Sequence, residues 1–158
     1  MISPRSRRPA AVLVVVGAAG LTAACAPTIS VDVAPDATDP VCASVVLDTP
    51  DELLTFDRQA TSSQATTAWG RSGAAITLRC GVEPPGPSAQ CVGVENPDGS
   101  SVDWVATQGD AGWTFVTYGR DPAVEVQVPN GLDVGQPTAP LVDLSAAVQD
   151  TPATAGCS

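Results

Sequence analysis

The side chains able to carry out chemistry in this 158-residue chain are few, because the sequence contains no His and all seven of its basic residues are Arg. The commonest general base, the commonest metal ligand and the amine of Schiff-base enzymes are therefore missing. A Ser or Cys nucleophile normally needs a neighbouring base. Paired carboxylates remain as the main route to catalysis, and much of enzyme chemistry is excluded.

Asp103 and Glu125 are the carboxylates that the sequence places on neighbouring predicted hairpin units. Two such groups can hydrolyse a glycosidic bond. In the predicted strands, the neighbours of both acids are apolar and point to the opposite face of the sheet. This pattern indicates that the two acids face solvent on a half-exposed sheet. We therefore predict no catalytic residue, no metal site and no cofactor, and we keep a secreted carboxylate-dependent hydrolase of a cell-wall glycan as the alternative function.

Aromatic residues supply the candidate binding site, since Trp104, Trp113 and Tyr118 fall within fifteen residues of one another. Such rings can stack on sugars, but we favour the interpretation that they form the core of a small sheet, where aromatic residues contribute the most burial. Arg120 follows closely and could present its guanidinium to a ligand carboxylate. These four residues form the predicted ligand-binding set. If the rings stack on sugars, at least one of Trp69, Trp104 and Trp113 should be exposed in a groove.

The N-terminus is typical of an export signal. Residues 1–9 carry three Arg and no acid, and residues 10–21 form an apolar run that suits a signal peptide and is too short to span a bilayer comfortably. The segment Leu21–Cys25 (LTAAC) resembles the lipobox of bacterial lipoproteins, in which a peptidase cleaves before a diacylated Cys. We therefore predict a signal peptide over residues 1–24 and lipid attachment at Cys25.

The remainder of the chain is strongly acidic. A chain that starts at Cys25 contains four Arg and all 17 acidic residues, so its formal net charge is 4 − 17 = −13. Nucleic acid would repel it, and we predict no nucleic-acid partner. Two acyl chains on Cys25 would hold the protein stably on a membrane. The predicted location is the outer face of the cytoplasmic membrane, where an envelope protein or a cell-wall glycan is the expected partner.

Four Cys residues remain when Cys25 is set aside: Cys42, Cys80, Cys91 and Cys157. An even number in an exported chain indicates disulfides, whereas the lack of His and of any CxxC pair argues against a metal site. Four Cys permit three connectivities. We predict Cys80–Cys91, which flank the turn of a predicted hairpin, and Cys42–Cys157, which lie on terminal segments that must meet.

The elements that position these residues begin after the signal peptide. Residues 25–38 are rich in Pro, Thr and Asp, which predicts a tether, so a single domain is expected over residues 39–158. Asp39 followed by Pro40 is typical of a helix start, and the apolar residues that follow predict a short helix through about Leu47.

A capping box at Thr49–Glu52 predicts a second short helix, and the polar stretch 57–73 predicts a long surface loop. Apolar residues then alternate in five runs, at 74–82, 91–95, 101–107, 113–119 and 123–128. Short turns between these runs predict an antiparallel meander of about five strands. A closing helix is predicted from Leu141. The predicted fold class is α+β, with short helices at both ends of the domain covering one face of the sheet.

Three motifs resemble those of a family of small actinobacterial lipoproteins known as domain of unknown function 3515. They are Leu78–Val82 (LRCGV), Val102–Val105 (VDWV) and Tyr118–Val126 (YGRDPAVEV). The resemblance extends over nearly all of the chain after the signal peptide. It implies an envelope lipoprotein and carries no activity with it. We therefore predict an envelope lipoprotein of unknown molecular function that acts as a non-catalytic binding or assembly module.

Overall fold

The computed structural model describes residues 28–157, which form an eight-stranded antiparallel sheet with three short helices. In chain order, the elements are α1 (Pro40–Leu47), β1 (Glu52–Leu53), β2 (Phe56–Gln59), β3 (Thr66–Arg71), β4 (Ala74–Val82), β5 (Cys91–Glu95), β6 (Ser101–Gly109), β7 (Gly112–Thr117), β8 (Ala123–Pro129), α2 (Ala139–Asp143) and α3 (Ser145–Val148).

The strands lie side by side in the order β1-β2-β3-β4-β8-β7-β6-β5. The chain therefore builds one half of the sheet up to β4, crosses to the far edge at β5, and returns through β6 and β7 until β8 pairs with β4. The antiparallel sheet is confirmed, but the predicted number of about five strands is wrong. The meander is also interrupted, because β4 and β5 are not neighbours.

The segment predicted as a second helix forms the hairpin β1–β2 instead. The Thr49 hydroxyl donates to the carbonyl of Val46 at 2.7 Å rather than capping a new helix. Arg58 donates to the same carbonyl at 2.8 Å and to that of Thr49 at 3.3 Å. These bonds satisfy the carbonyl of Val46 in the last turn of α1, where a helix has no internal donors left, and that of Thr49 just beyond the helix. The capping-box prediction is therefore wrong.

The polar stretch predicted as a loop also contains strands β2 and β3. The Thr residues of β3 are compatible with a strand, and its Trp69 is fully buried. The indole N–H of Trp69 donates to the carbonyl of Pro50 at 2.9 Å. The polar composition of this stretch therefore did not reveal β2 and β3, which are two of the four strands in the first half of the sheet.

One face of the sheet carries the main hydrophobic core, and all three helices pack there, as predicted. Alternate strand residues such as Ile76, Leu78 and Val126 meet helix residues such as Val45 and Leu141 in a single buried cluster. The predicted closing helix is divided into α2 and α3. The opposite side, which we call the open face, has no helix over it among residues 28–157.

The two disulfides are Cys42–Cys80 and Cys91–Cys157, so both predicted pairings are wrong. Cys80 cannot reach Cys91, because strands β8, β7 and β6 lie between β4 and β5. Cys80 instead faces the core and meets Cys42 of α1, and both residues are fully buried. Cys91 alternates with core residues and faces the open side, where the C-terminal segment brings Cys157 to it.

The predicted tether packs against the domain over its described part. Ile29, Val31, Ala34 and Ala37 are buried. Ile29 and Val31 contact Ala68 on the open face of β3, because their alternating apolar side chains need cover that a free tether would not provide. Residues 25–27, with Cys25, lie outside the described residues, as does the predicted signal peptide.

Gly81 holds this N-terminal segment close to β4. The amide of Asp36 donates to the carbonyl of Gly81 at 2.9 Å. Gly81 has a φ of +95°, and a Cβ at this position would lie 2.6 Å from the amide nitrogen of Ala37. The backbones can approach this closely only because glycine has no side chain.

Replacing Gly81 by Ala is expected to lower the free energy of unfolding by about 2–3 kcal/mol, since it adds a steric clash to an unfavourable φ. Gly73→Ala is the matched control: its φ is +81°, but nothing lies within 4 Å of the added Cβ. That control is expected to lose about 1 kcal/mol. Urea denaturation measures both values, and equal losses would contradict the close packing of the N-terminal segment.

Candidate functional site

The predicted ligand-binding residues do not form one site. Trp104 is fully buried in the core, and its indole N–H has no acceptor among residues 28–157. Tyr118 is half-buried on the open face and lines a shallow cavity beside Cys91 and Cys157. Trp113 belongs to the helix-covered face, so it lies on the other side of the sheet from Tyr118. The three aromatic residues therefore lie in three separate places: the core, the open face and the helix-covered face.

Arg120 has a structural role, and the prediction that it faces a ligand is wrong. It is 8% exposed, and its guanidinium donates to the carbonyl groups of Val148 and Thr151. Burial lowers the pKa of this guanidinium, although the negative charge of Asp103 partly opposes that effect. Its hydrogen bonds join the β7–β8 connection to the end of α3.

The carboxylates Asp103 and Glu125 are each engaged by a different partner. Asp103 accepts the amide N–H of Cys157 at 2.7 Å. Glu125 forms a two-point ion pair with Arg79, with Nε–Oε1 at 2.7 Å and Nη2–Oε2 at 3.0 Å, and it also accepts from Gln127 at 2.9 Å. The two acids lie on β6 and β8, which are separated by β7. Each acid makes structural contacts that account for its presence without a catalytic role.

The Arg79–Glu125 pair occupies a cavity of about 350 Å³ on the open face. Its hydrogen bond to Glu125 raises the pKa of Arg79, and the nearby Asp32 adds to that effect while burial opposes it. The partners already saturate each other, so the cavity offers a ligand few free charged donors or acceptors. We regard this cluster as part of the sheet surface that holds the N-terminal segment.

Trp113 lines an apolar groove on the helix-covered face, at the end of the sheet nearest β5. Its ring stacks on that of Phe115, with centroids 5.9 Å apart and planes inclined by 11°. Val92 is 38% exposed at the outer rim. We call this feature the β5 groove; its volume is about 360 Å³ and its lining comprises Val92, Gly93, Val94, Ala106, Trp113, Phe115, Gln136, Pro137 and Thr138.

The loop before α2 closes the β5 groove on one side. Residues 136–138 line it, and the amide of Ala139 donates to the carbonyl of Gln136 at 3.0 Å. Val94 and Phe115 are buried at its base. The helices thus cover most of the core but leave this strip of apolar surface uncovered within the described residues.

The part of the chain that forms the groove strands is acidic. Residues 83–119, which include β5, β6 and β7, contain five acidic residues and neither Arg nor Lys. Of the Arg side chains elsewhere, Arg79 is paired with Glu125, and Arg58 and Arg120 donate to backbone carbonyls. This half of the domain therefore presents a negative field that attracts cationic groups.

Residues 28–157 contain neither a cluster of three metal-ligating side chains nor a helix long and apolar enough to cross a membrane. The turn before β6, which faintly resembles a calcium loop, is closed internally. Asp98 accepts from the hydroxyl and the amide of Ser100, at 2.6 and 2.8 Å. These bonds lower the pKa of Asp98.

Sequence reasoning placed Trp113 among the binding candidates but missed Val92 and the loop that closes the groove. The run of β5 is as apolar as that of a central strand. Nothing in its residue types shows that it lies at the sheet edge, because that position depends on the pairing of β4 with β8. Only Gly93, in the middle of a five-residue strand, hinted at an unusual position.

Comparison with protein families gives a match over most of the chain. The family model described as "Protein of unknown function (DUF3515)" matches residues 9–156. Neither curated proteins nor solved structures show a significant match to the chain. Since the family model covers almost all of the sequence, the chain belongs to the DUF3515 family.

Proposed function

We propose that the protein is a lipid-anchored envelope module that binds another component of the envelope without catalysing a reaction. The two disulfides support a domain that works outside the cytoplasm, where such bonds persist. The lipobox-like segment that ends at Cys25 supports attachment to the outer face of the cytoplasmic membrane. Together they support an exported protein held at the membrane surface.

The β5 groove is the observation that carries the binding role. It is the apolar surface beside the half-buried Trp113 and the exposed Val92 that the helices leave uncovered within residues 28–157. Uncovered apolar surface of this kind marks interaction sites and ligand-binding grooves. For the alternative, a carboxylate-dependent glycan hydrolase, no observation among the described residues adds support, since Asp103 and Glu125 both serve structural contacts.

Lipid attachment is tested by replacing Cys25 with Ser. We expect the variant to leave the membrane fraction almost completely, because the thiol that would receive the diacylglyceryl group is gone. Fractionation of cells, followed by mass determination of the chain, measures the result. Thr22→Ser is a suitable control, since it leaves Cys25 intact and should remain bound.

A Cys25→Ser chain that stayed in the membrane at its unprocessed mass would overturn the lipid anchor. An uncleaved N-terminal helix would then explain the attachment. A wild-type chain found only in the soluble fraction would overturn membrane attachment altogether. Neither result would bear on what the β5 groove binds.

A further inference from the structure

Strand β5 has one free edge. It pairs with β6 on one side, and it is the last strand of the sheet on the other. Among the described residues, no segment pairs with that outer side. The backbone groups on the outer side of an edge strand are ready to bind another extended chain.

The pairing pattern identifies which groups of β5 point outward. The carbonyl of Gln90 accepts from the amide of Ala106 on β6, and the amide of Asn96 donates to the carbonyl of Ser100. In an antiparallel pair, every second residue of a strand directs its N–H and C=O groups to its partner strand. Val92 and Val94, which lie between Gln90 and Asn96 at this spacing, therefore also bond to β6. Gly93 and Glu95 therefore present their N–H and C=O groups to the outside, and both residues are exposed.

The β5 groove begins beside this edge. Val92 and Val94 point to the groove side of the sheet, and the groove continues inward to Trp113. A strand added outside Gly93 and Glu95 would place every second side chain on that same side. Backbone bonds would supply affinity and the groove would select apolar side chains, which is the usual division of roles in strand addition.

Charge indicates the kind of chain that fits. The edge carries Glu95, the adjoining turn carries Asp98, and residues 83–119 hold no basic residue to offset them. A second copy of this chain would bring the same acids together. A glycan would need hydrogen-bonding partners that the mostly apolar lining does not offer. A basic polypeptide that also carries apolar side chains would be attracted by the negative field and could fill the apolar groove.

We propose that strand β5 binds an extended segment of a partner protein in which apolar side chains alternate with Lys or Arg, by adding it as a ninth strand whose apolar side chains enter the β5 groove. This proposal rests on the binding role proposed above and names the class of partner. Lipid attachment plays no part in it, so the two proposals fail independently.

The test uses the purified full chain and synthetic ten-residue peptides that alternate Val with Lys or Val with Glu. Trp113 fluorescence reports binding, because Trp69 and Trp104 are fully buried. We expect the Lys peptide to bind at least tenfold more tightly than the Glu peptide. Two further Lys peptides carry N-methyl groups, one at the odd-numbered residues and the other at the even-numbered residues. We expect one of them to bind at least tenfold more weakly and the other to bind nearly as well as the unmethylated peptide, because only one of the two sets of N–H groups faces β5.

Matched variants locate the site. Gly93→Pro removes the outward N–H and is expected to weaken binding of the Lys peptide at least tenfold. Gly93→Ala adds a similar Cβ, which would lie 3.1 Å from Asp103 Oδ1, but retains the N–H, so its binding should stay within twofold of wild type. Val92→Lys should weaken binding at least tenfold. Leu47→Lys, at an exposed position of α1, changes the net charge by the same amount and should have little effect on binding. Circular dichroism confirms that each variant is folded.

Several results would overturn the proposal. These are equal binding of the Lys and Glu peptides, equal effects of the two N-methylated sets, and unchanged binding by Gly93→Pro. Analytical ultracentrifugation covers a further occupant: a dimer of the wild-type chain that Gly93→Pro dissociates would assign the edge to a second copy. If neither peptide bound to the protein, the proposal that β5 binds a basic extended segment would also be overturned.

Discussion

Replacing both Cys42 and Cys80 by Ala is expected to lower the free energy of unfolding by about 4–5 kcal/mol. The disulfide closes a loop with a sequence separation of 38, and loss of that constraint on the unfolded chain accounts for about 4 kcal/mol. Both residues are fully buried between α1 and β4, so the smaller side chains also leave unfilled space in the core. Urea denaturation of the oxidised protein measures the loss.

The second disulfide provides the control. Cys91→Ala with Cys157→Ala opens a loop with a separation of 66, for which loop closure again accounts for about 4 kcal/mol. Cys157 is exposed, however, so no core cavity follows. We also expect a mild reductant to open Cys91–Cys157 in the folded protein and Cys42–Cys80 only on unfolding. Earlier reduction of the buried pair, seen by peptide mapping, would contradict this packing.

Arg120→Met is expected to lower the free energy of unfolding by about 3 kcal/mol. The substitution keeps an unbranched side chain but removes the charged donor to the buried carbonyl of Thr151. The carbonyl of Val148 keeps two donors, the amide and the hydroxyl of Thr151. A buried carbonyl that loses a charged donor costs more than the hydrogen bond itself contributed. Thermal and urea unfolding measure the change.

Arg71→Met is the matched control, because Arg71 is exposed at the end of β3 and the same change there is expected to stay within about 0.5 kcal/mol. A similar small loss for Arg120→Met would show that water satisfies the carbonyls and that Arg120 does not hold α3 to the sheet.

Strands β4 to β8 were predictable from the sequence because their apolar residues alternate, as in Ile76, Leu78 and Cys80. Strands β1 to β3 were not, since their Thr, Gln and Arg residues also suit a loop. The pairing of β4 with β8 joins residues that are 41 to 50 positions apart in the sequence. The local sequence pattern does not show such a long-range contact. Cys80–Cys91 failed because it assumed that β4 and β5 are neighbours, and Cys42–Cys157 failed because it assumed that the two terminal segments meet.

The candidate site shows the same limit. Residue type suggested that Trp104, Trp113 and Arg120 could bind a ligand, but burial decides which of them is accessible. Trp104 fills the core and Arg120 satisfies carbonyls, while Trp113 alone lines the β5 groove. The accessible edge at Gly93 arises from strand order, which follows from the long-range pairing.

The buried N-terminal segment would limit how far a chain anchored at Cys25 could stand from a membrane. Ile29 is already fixed on the sheet, so only four residue steps separate it from Cys25, a reach of at most about 14 Å. With lipid at Cys25, the domain would be held close to the head groups with its β3 side towards them. Strand β5 lies five strand spacings beyond β3, about 24 Å away. In a chain anchored at Cys25, the free edge of β5 would therefore lie on the side of the sheet remote from the anchored segment.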